Sequence, residues 1–350
     1  MSGPDPPRPA SKSIAPPPRG SPALTLGFLA GAFAATLGIA EGAARLVYPA
    51  PVSPFPASMP FLQDDPRFLW SVKPDQVSTP WRSVQLRTNH LGLRDDDATP
   101  YALAPGVRVL SVGDSTTWGF GVSASYTYTE RLATLLGSAA RPVDAINAGV
   151  PAWSLWQVSE WVGAVGLSLH PDVVLVYTLQ NDFLPRGRNP RDPFHVSLTD
   201  RQMMEARQSV GPLLGLLAAS RLDQILVRRW LVPTAASEAA SAPDVVRVPE
   251  SDRREAIDRL ASRCREAGAT LVLVHPVYDT PTYDADTVLA EGARRNRATY
   301  VDLPADPAFA PGRRKALFGG EGAHPNAEGH GAIAVVLAGE LAKLPVFAEH

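Results

Sequence analysis

Ser115 stands in Gly113-Asp114-Ser115-Thr116-Thr117, directly after the apolar run VRVLSV at 107–112. A serine hydroxyl is a useful nucleophile only beside a base that takes its proton and donors that hold the charge developing on the attacked carbonyl. His324, in Glu321-Gly322-Ala323-His324-Pro325-Asn326, supplies a candidate base, and Glu321, three residues earlier, a carboxylate to orient the ring. Asn147-Ala148-Gly149 and Gln180-Asn181-Asp182 each follow a further apolar run and offer the Gly149 N–H and the Asn181 amide as donors. Nucleophile, base, orienter and donors are the parts of acyl transfer. Taken singly, each has a plainer reading. Gly-Asp-Ser is common turn chemistry, Asp114 braces its own loop, and a histidine ahead of a helix can be a cap. His330 and Glu328 neighbour His324, but the six-residue spacing sets His330 on another helix face and leaves a metal site without ligands. His275, ending a further apolar run, reads as a wall residue of the same rim, and Cys264 as an inert core thiol.

These residues need a scaffold that delivers them to one edge. VRVLSV (107–112), VDAIN (143–147), DVVLVYTL (172–179), TLVLVH (270–275) and TYVDL (299–303) are short, β-branched and apolar throughout, as strands buried on both faces are. Helix-spaced stretches alternate with them: YTERLATLLG, LWQVSEWVGAVGL, SDRREAIDRLASRCREAG, ADTVLAEGARRNR and the closing NAEGHGAIAVVLAGELAKL. Such alternation predicts an α/β doubly wound parallel sheet with helices on both faces, whose sites lie beyond the carboxyl ends of the strands. Every candidate residue above falls there. Residues 183–249 interrupt the rhythm with far more chain than a connection needs. They read either as an excursion packed on the domain or as a lid or membrane-contacting element.

The four blocks, in this order, resemble the SGNH or GDSL-like serine hydrolases and esterases over about residues 105–345. The resemblance implies a flavodoxin-like, five-stranded parallel sheet in three α/β/α layers and carboxylic ester hydrolysis without cofactor or metal. It implies Ser115 as nucleophile, His324 as base, and the Ser115, Gly149 and Asn181 donors as the oxyanion hole. Two positions depart from the family pattern. Leu179 stands where the third block, usually Gly-x-Asn-Asp, has its glycine, and Glu321 stands where the last block usually has aspartate. Glutamate serves in other serine-hydrolase triads. The stretch RTNHLGLRD (87–95) and the apolar N-terminal run are similar to a bacterial, membrane-anchored branch of the family. Rival hydrolase patterns fit less well, since Thr117 breaks G-x-S-x-G and only His90 precedes Ser115 among possible chymotrypsin-like bases.

Residues 1–21 are rich in proline and serine and predict a disordered tail. Residues 22–40, PALTLGFLAGAFAATLGIA, carry no charge, and as a helix they would reach roughly 28 Å, close to the hydrocarbon thickness of a bilayer. Arg8, Lys12 and Arg19 precede them against Asp5 alone, so the positive-inside bias leaves the tail in the cytoplasm and the remainder outside. A cleaved signal peptide and a buried soluble helix are the competing readings of this run. Residues 41–104 read as a proline-rich connection and extension. The 33 basic and 35 acidic residues give a net charge of −2 with no basic stripe, which argues against nucleic acid as a partner. A single cysteine excludes an intrachain disulfide framework. The expectation is a single-pass protein of the inner (cytoplasmic) membrane whose esterase domain faces the periplasm or exterior and acts on glycan O-acyl groups or lipid esters. Two alternatives remain open: an O-acyltransferase acting on a cell-surface glycan, and a non-catalytic binding or scaffold protein on a hydrolase fold.

Overall fold

The computed structural model describes residues 22–47, 59–81, 84–94, 106–185, 198–209, 220–222, 245–279, 287–319 and 322–348. The first element is the helix α1 (Pro22–Val47), followed by four short strands, β1 (Leu62–Asp65), β2 (Leu69–Val72), β3 (Val77–Trp81) and β4 (Val84–Arg87). The alternating part begins with β5 (Val107–Gly113), α2 (Ser115–Trp118), α3 (Tyr128–Leu136), β6 (Val143–Gly149), α4 (Leu155–Ala164) and β7 (Val173–Tyr177). Beyond it come α5 (Asp200–Ser209), α6 (Glu250–Glu266), β8 (Thr270–His275), α7 (Val288–Asn296), β9 (Thr299–Asp302), α8 (Pro311–Leu317) and α9 (Ala327–Leu341).

β5 to β9 form one parallel sheet in the order β6-β5-β7-β8-β9, which is the flavodoxin-like order of a doubly wound fold. All seven residues of β5 and all five of β7 are buried. The two-residue period of a strand divides their side chains between two cores. Leu110, Val112, Val174, Val176, Leu271 and Leu273 join the core that contains residues of α4, α6 and α7, whereas Val109, Val173, Leu175, Val272 and Val274 join the one that contains residues of α3 and α9. The register pairs Gly113 with both Gly149 and Tyr177, Tyr177 with Val274, and His275 with Asp302. All five strands therefore finish on one rim. The chain leaves β5 toward β6 and then returns to β7 on its other side, so the connections part company at the end of β5, where such folds open a crevice.

The segment before the sheet is more than a connection. β1 pairs antiparallel with β2, and β3 with β4. Phe61, Phe68 and Trp70 are buried in the same core as α4. Indole and amide groups stitch the first hairpin to the β6–α4 turn: Trp70 Nε1 donates to Pro151 O (3.0 Å), Trp153 Nε1 to Trp70 O (3.0 Å) and Gln157 Nε2 to Phe68 O (2.7 Å).

The excursion that begins at 183 leaves and returns at one place. Pro185 bridges Val246, Arg247 N–H donates to Leu184 O, and Val248 N–H donates to Asp182 O. Beneath this seam Arg247 and Asp200 form a buried ion pair at 2.8 Å. Arg247 also donates to Ala152 O (2.7 Å) and Gln157 Oε1 (2.8 Å), and Ser154, which caps α4, donates to Asp200. A buried pair with every donor placed in this way fixes one arrangement of the elements it joins. Residues 220–222 of the excursion meet α1, where the Glu41 carboxylate accepts from Ser220 Oγ (2.9 Å), Arg221 N–H (2.8 Å) and Leu222 N–H (2.9 Å). From Thr25 to Val47, α1 is long and apolar enough to cross a membrane, and Leu26, Phe28, Phe33 and Ile39 are exposed along it.

Asp182 lies fully buried beside the seam, its Oδ1 accepting the Leu155 N–H at the start of α4. Burial pushes its carboxyl up to about 7, against the opposing pull of that N–H and of Arg253 and Arg247. An acid whose folded pKa is raised contributes stability fully below its unfolded pKa, and that contribution disappears as the pH rises through the folded value. We therefore expect the denaturant midpoint to fall between about pH 4 and pH 7, and Asp182→Asn, which stays neutral, to flatten that fall. Equal pH dependence in the two proteins would exclude Asp182 as its source.

Candidate active site

Ser115 is the first residue of α2, immediately beyond β5. Asp114 caps this four-residue helix, with Oδ1 accepting the Thr116 N–H at 2.9 Å. Its other oxygen accepts from Thr178 Oγ1 and from Asn181 Nδ2, both at 3.4 Å. Burial pushes the Asp114 carboxyl up to about 6, and the Thr116 N–H, the His324 ring and Thr178 oppose that rise. The helix ends at Gly119, whose φ of 80° is the left-handed conformation common after a helix. A side chain at 119 would also collide with Thr127 and Arg94.

His324 reaches the same point from the turn ahead of α9. Its Nε2 lies 2.8 Å from Ser115 Oγ. The turn is held on both sides: His324 O accepts from Gly319 N–H (2.8 Å), Gly322 O accepts from Asp279 N–H (3.0 Å), and Phe318 bridges Pro325. Asn326 then caps α9 and ties it back to α8, with Nδ2 donating to Ala316 O (2.8 Å). The Phe120 ring stacks on the imidazole at 4.7 Å between centroids. Both Ser115 and His324 are half-buried, open enough for a substrate to reach. Glu321, the expected orienter, lies outside the described residues.

The expected oxyanion donors, Asn181 and Gly149, sit on two different loops of the rim. Asn181 follows β7 in a short 3-10 turn, and its Nδ2 donates to Trp153 O at 3.0 Å and, more weakly, to Asp114. The amide is thus fixed against the loop between β6 and α4. Gly149 sits where β6 touches α2: a Cβ there would stand 2.1 Å from Trp118 N, so the glycine is needed for close packing behind the nucleophile. Its N–H already donates to Asn147 Oδ1 at 3.1 Å, and Asn147 Nδ2 donates to Thr117 O at 2.8 Å. Farther along the loop, Ala152 adopts φ 65°, rare for a residue with a side chain. Its carbonyl is held by Arg247, and its N–H has no acceptor among the described residues. Of this loop, the 151–153 turn and not Gly149 is the part that Asn181 holds. No glycine marks that turn in the sequence, so nothing there pointed to it.

The remaining candidates face elsewhere. His275 is buried and its Nδ1 lies 3.0 Å from Asp302 Oδ1, at the paired ends of β8 and β9. His330 is buried under α3, where Nδ1 accepts the Tyr128 N–H at 3.2 Å, and burial pulls its pKa down to about 3, which keeps it neutral. Cys264 is buried in α6, with its thiol pushed up to about 12.

A serine hydroxyl hydrogen-bonded to an imidazole at the carboxyl rim of a doubly wound sheet fits acyl-group hydrolysis. The model of the GDSL-like lipase/acylhydrolase family matches residues 111–332. The chain belongs to this family. It is a carboxylic ester hydrolase, and the matched span runs from β5 into α9 and contains both Ser115 and His324. Similar solved structures include the acetylxylan esterase Axe2 from Geobacillus stearothermophilus, 15% identical, with a TM-score of 0.44 over 71% of this chain and 99% of that one. The psychrotrophic esterase EstA from Pseudoalteromonas sp. is 13% identical, with a TM-score of 0.43 over 67% of this chain and 97% of that one. Comparison with curated proteins gives no match.

Removing the Asn181 donor tests its place in the site. Asn181→Ala should leave the melting temperature near that of the parent and lower kcat by roughly 10²–10³, the usual effect of losing one oxyanion donor. A loss smaller than about threefold would remove Asn181 from the reacting centre.

Proposed function

We propose that this chain is a membrane-anchored serine esterase whose catalytic domain faces the periplasm or the cell exterior. The observation that carries the catalytic part is the 2.8 Å contact between Ser115 Oγ and His324 Nε2. In the first half-reaction Ser115 Oγ bonds to the ester carbonyl carbon while its proton passes to His324 Nε2. Collapse of the tetrahedral intermediate breaks the carbon–oxygen bond to the alcohol, which leaves with that proton. Water then attacks the acyl-enzyme, its proton taken by His324, and Ser115 recovers it as the acid departs. The oxyanion is held by the Ser115 N–H at the start of α2, the Asn181 amide and a backbone N–H of the 149–152 turn. Gly149 and Ala152 are the candidate N–H groups of that turn; the Gly149 N–H donates to Asn147 Oδ1 in the free site, as the Asn181 amide donates to Trp153 O. Glu321, three residues before the base, orients the imidazole.

The anchored reading is supported by the exposed apolar α1 and by the basic residues before it. Glycan O-acyl groups and lipid esters are the substrates such a topology would meet. The Glu41 contacts hold part of the 183–249 excursion against α1, which supports its reading as a membrane-proximal element.

A fluorophosphonate probe that cannot cross membranes tests chemistry and topology together. Applied to intact spheroplasts expressing the full chain, it should label the parent from outside, fail on Ser115→Ala, and label Glu321→Gln more slowly. Labelling of the parent only after lysis would contradict the outward topology. Equal labelling of Ser115→Ala would contradict the nucleophile, and an unchanged rate in Glu321→Gln would reduce the triad to a Ser–His dyad.

A further inference from the structure

The stretch RTNHLGLR ends in Arg94, one of the largest fully buried side chains, 1% exposed. The segment that delivers it is rigid. Thr88 Oγ1 donates to Lys73 O, Asn89 Oδ1 accepts from Leu91 and Leu93 N–H, and Gly92, at φ 76°, lies so close to Val72 O that a Cβ would stand 2.5 Å from it. Arg94 N–H then donates to Asn147 O at the end of β6 (3.1 Å).

Among the described residues no carboxylate lies within ion-pair distance of the guanidinium. It donates to backbone instead: Nη1 to Trp118 O (2.5 Å) and Gly119 O (2.6 Å), Nη2 to Val122 O (2.5 Å), with its carbon 5.5 Å from the centre of the Trp118 ring. Asn147, which Arg94 holds, takes Thr117 O. Two residues thus collect the carbonyls at the C-terminal end of α2 and along the loop after it, where a helix leaves acceptors unsatisfied and favours a cation. Glu130 acts on this buried cation only from beyond ion-pair distance, so its direct partners are the fixed backbone dipoles around it. What those carbonyls carry is the site itself. α2 begins with Ser115. Phe120 lies between the gripped carbonyls of Gly119 and Val122, donates its N–H to Ser115 O (3.0 Å), and stacks on His324.

We infer that Arg94 is a positioning residue of the esterase, fixing α2 and the Phe120 loop so that Ser115 and His324 meet in reacting geometry. The hairpin extension before the sheet is then part of the catalytic unit. This inference rests on Ser115 and His324 being the catalytic pair.

The test compares the full chain with Arg94→Ala, Arg94→Lys, Phe120→Ala and Ser115→Ala, by steady-state kinetics on a p-nitrophenyl ester and by thermal melting followed by circular dichroism. In folded Arg94→Ala, kcat should fall by roughly 10²-fold with KM changed little, the expected effect of a small displacement of reacting groups. Guanidinium ion at sub-denaturing concentration should restore part of that kcat, while equal sodium chloride should not. Arg94→Lys, which keeps the charge but not the fork, should lie between. Parent-like kcat in folded Arg94→Ala, or a loss that guanidinium does not relieve, would overturn the inference. If Arg94→Ala does not fold, Phe120→Ala decides: reduced kcat at unchanged melting temperature supports the relay through this loop, and full kcat overturns it. Activity surviving in Ser115→Ala would instead defeat the catalytic reading beneath the inference.

Discussion

The hydrogen bond between Ser115 Oγ and His324 Nε2 joins residues 209 positions apart in the chain. A single such bond contributes only about 1 kcal/mol net, far less than the entropy of ordering the segments that make it. The bond therefore cannot create its own geometry, and both partners must be held by structure that is stable without it. On the serine side this is the fully buried β5, the Asp114 cap and the close contact between Gly149 and α2. On the histidine side it is residues 322–326, where His324 O accepts the Gly319 N–H and Asn326 is pinned to α8 and caps α9. The sheet register brings the two sides to one rim, which is why a doubly wound fold suits this chemistry.

The polar groups around this contact form a graded environment. Asp114 and Asp182 are buried acids raised by desolvation, Arg94 is a buried cation facing backbone carbonyls, and Arg247 is matched to Asp200. Each links two elements that a packed apolar core would leave free to slide. Arg247 joins the excursion to the turn carrying Ala152, and Asp182 joins the Asn181 turn to α4. The same buried groups that shape the site thus tie it to the 183–249 excursion and to the N-terminal hairpins.

Much of this was legible in the sequence. The five strands lie where β-branched apolar runs predicted them, because a strand buried on both faces admits little else. The serine and histidine were readable from their blocks, because each follows a strand or precedes a helix at the rim. The N-terminal hairpins were not, since strands of four or five residues are too short for a period and Trp70 reveals its role only in contact with Trp153 and Pro151. Gly149 has a steric role that the sequence did not show: its missing side chain allows close packing against Trp118, and its N–H meets Asn147 Oδ1. The carbonyl of the left-handed Ala152 is held by Arg247, 95 residues later, a contact that no local pattern carries.

The most direct test of the central claim is to trap the covalent intermediate. Protein turning over an activated ester should be quenched in acid, weighed intact and mapped by peptide mass spectrometry. The account predicts one added acyl group, on Ser115, with a burst of released alcohol that approaches one equivalent per enzyme. An acyl group on another side chain, or steady turnover with no acyl-enzyme and no burst even when deacylation is slowed by a hindered acyl group, would contradict it.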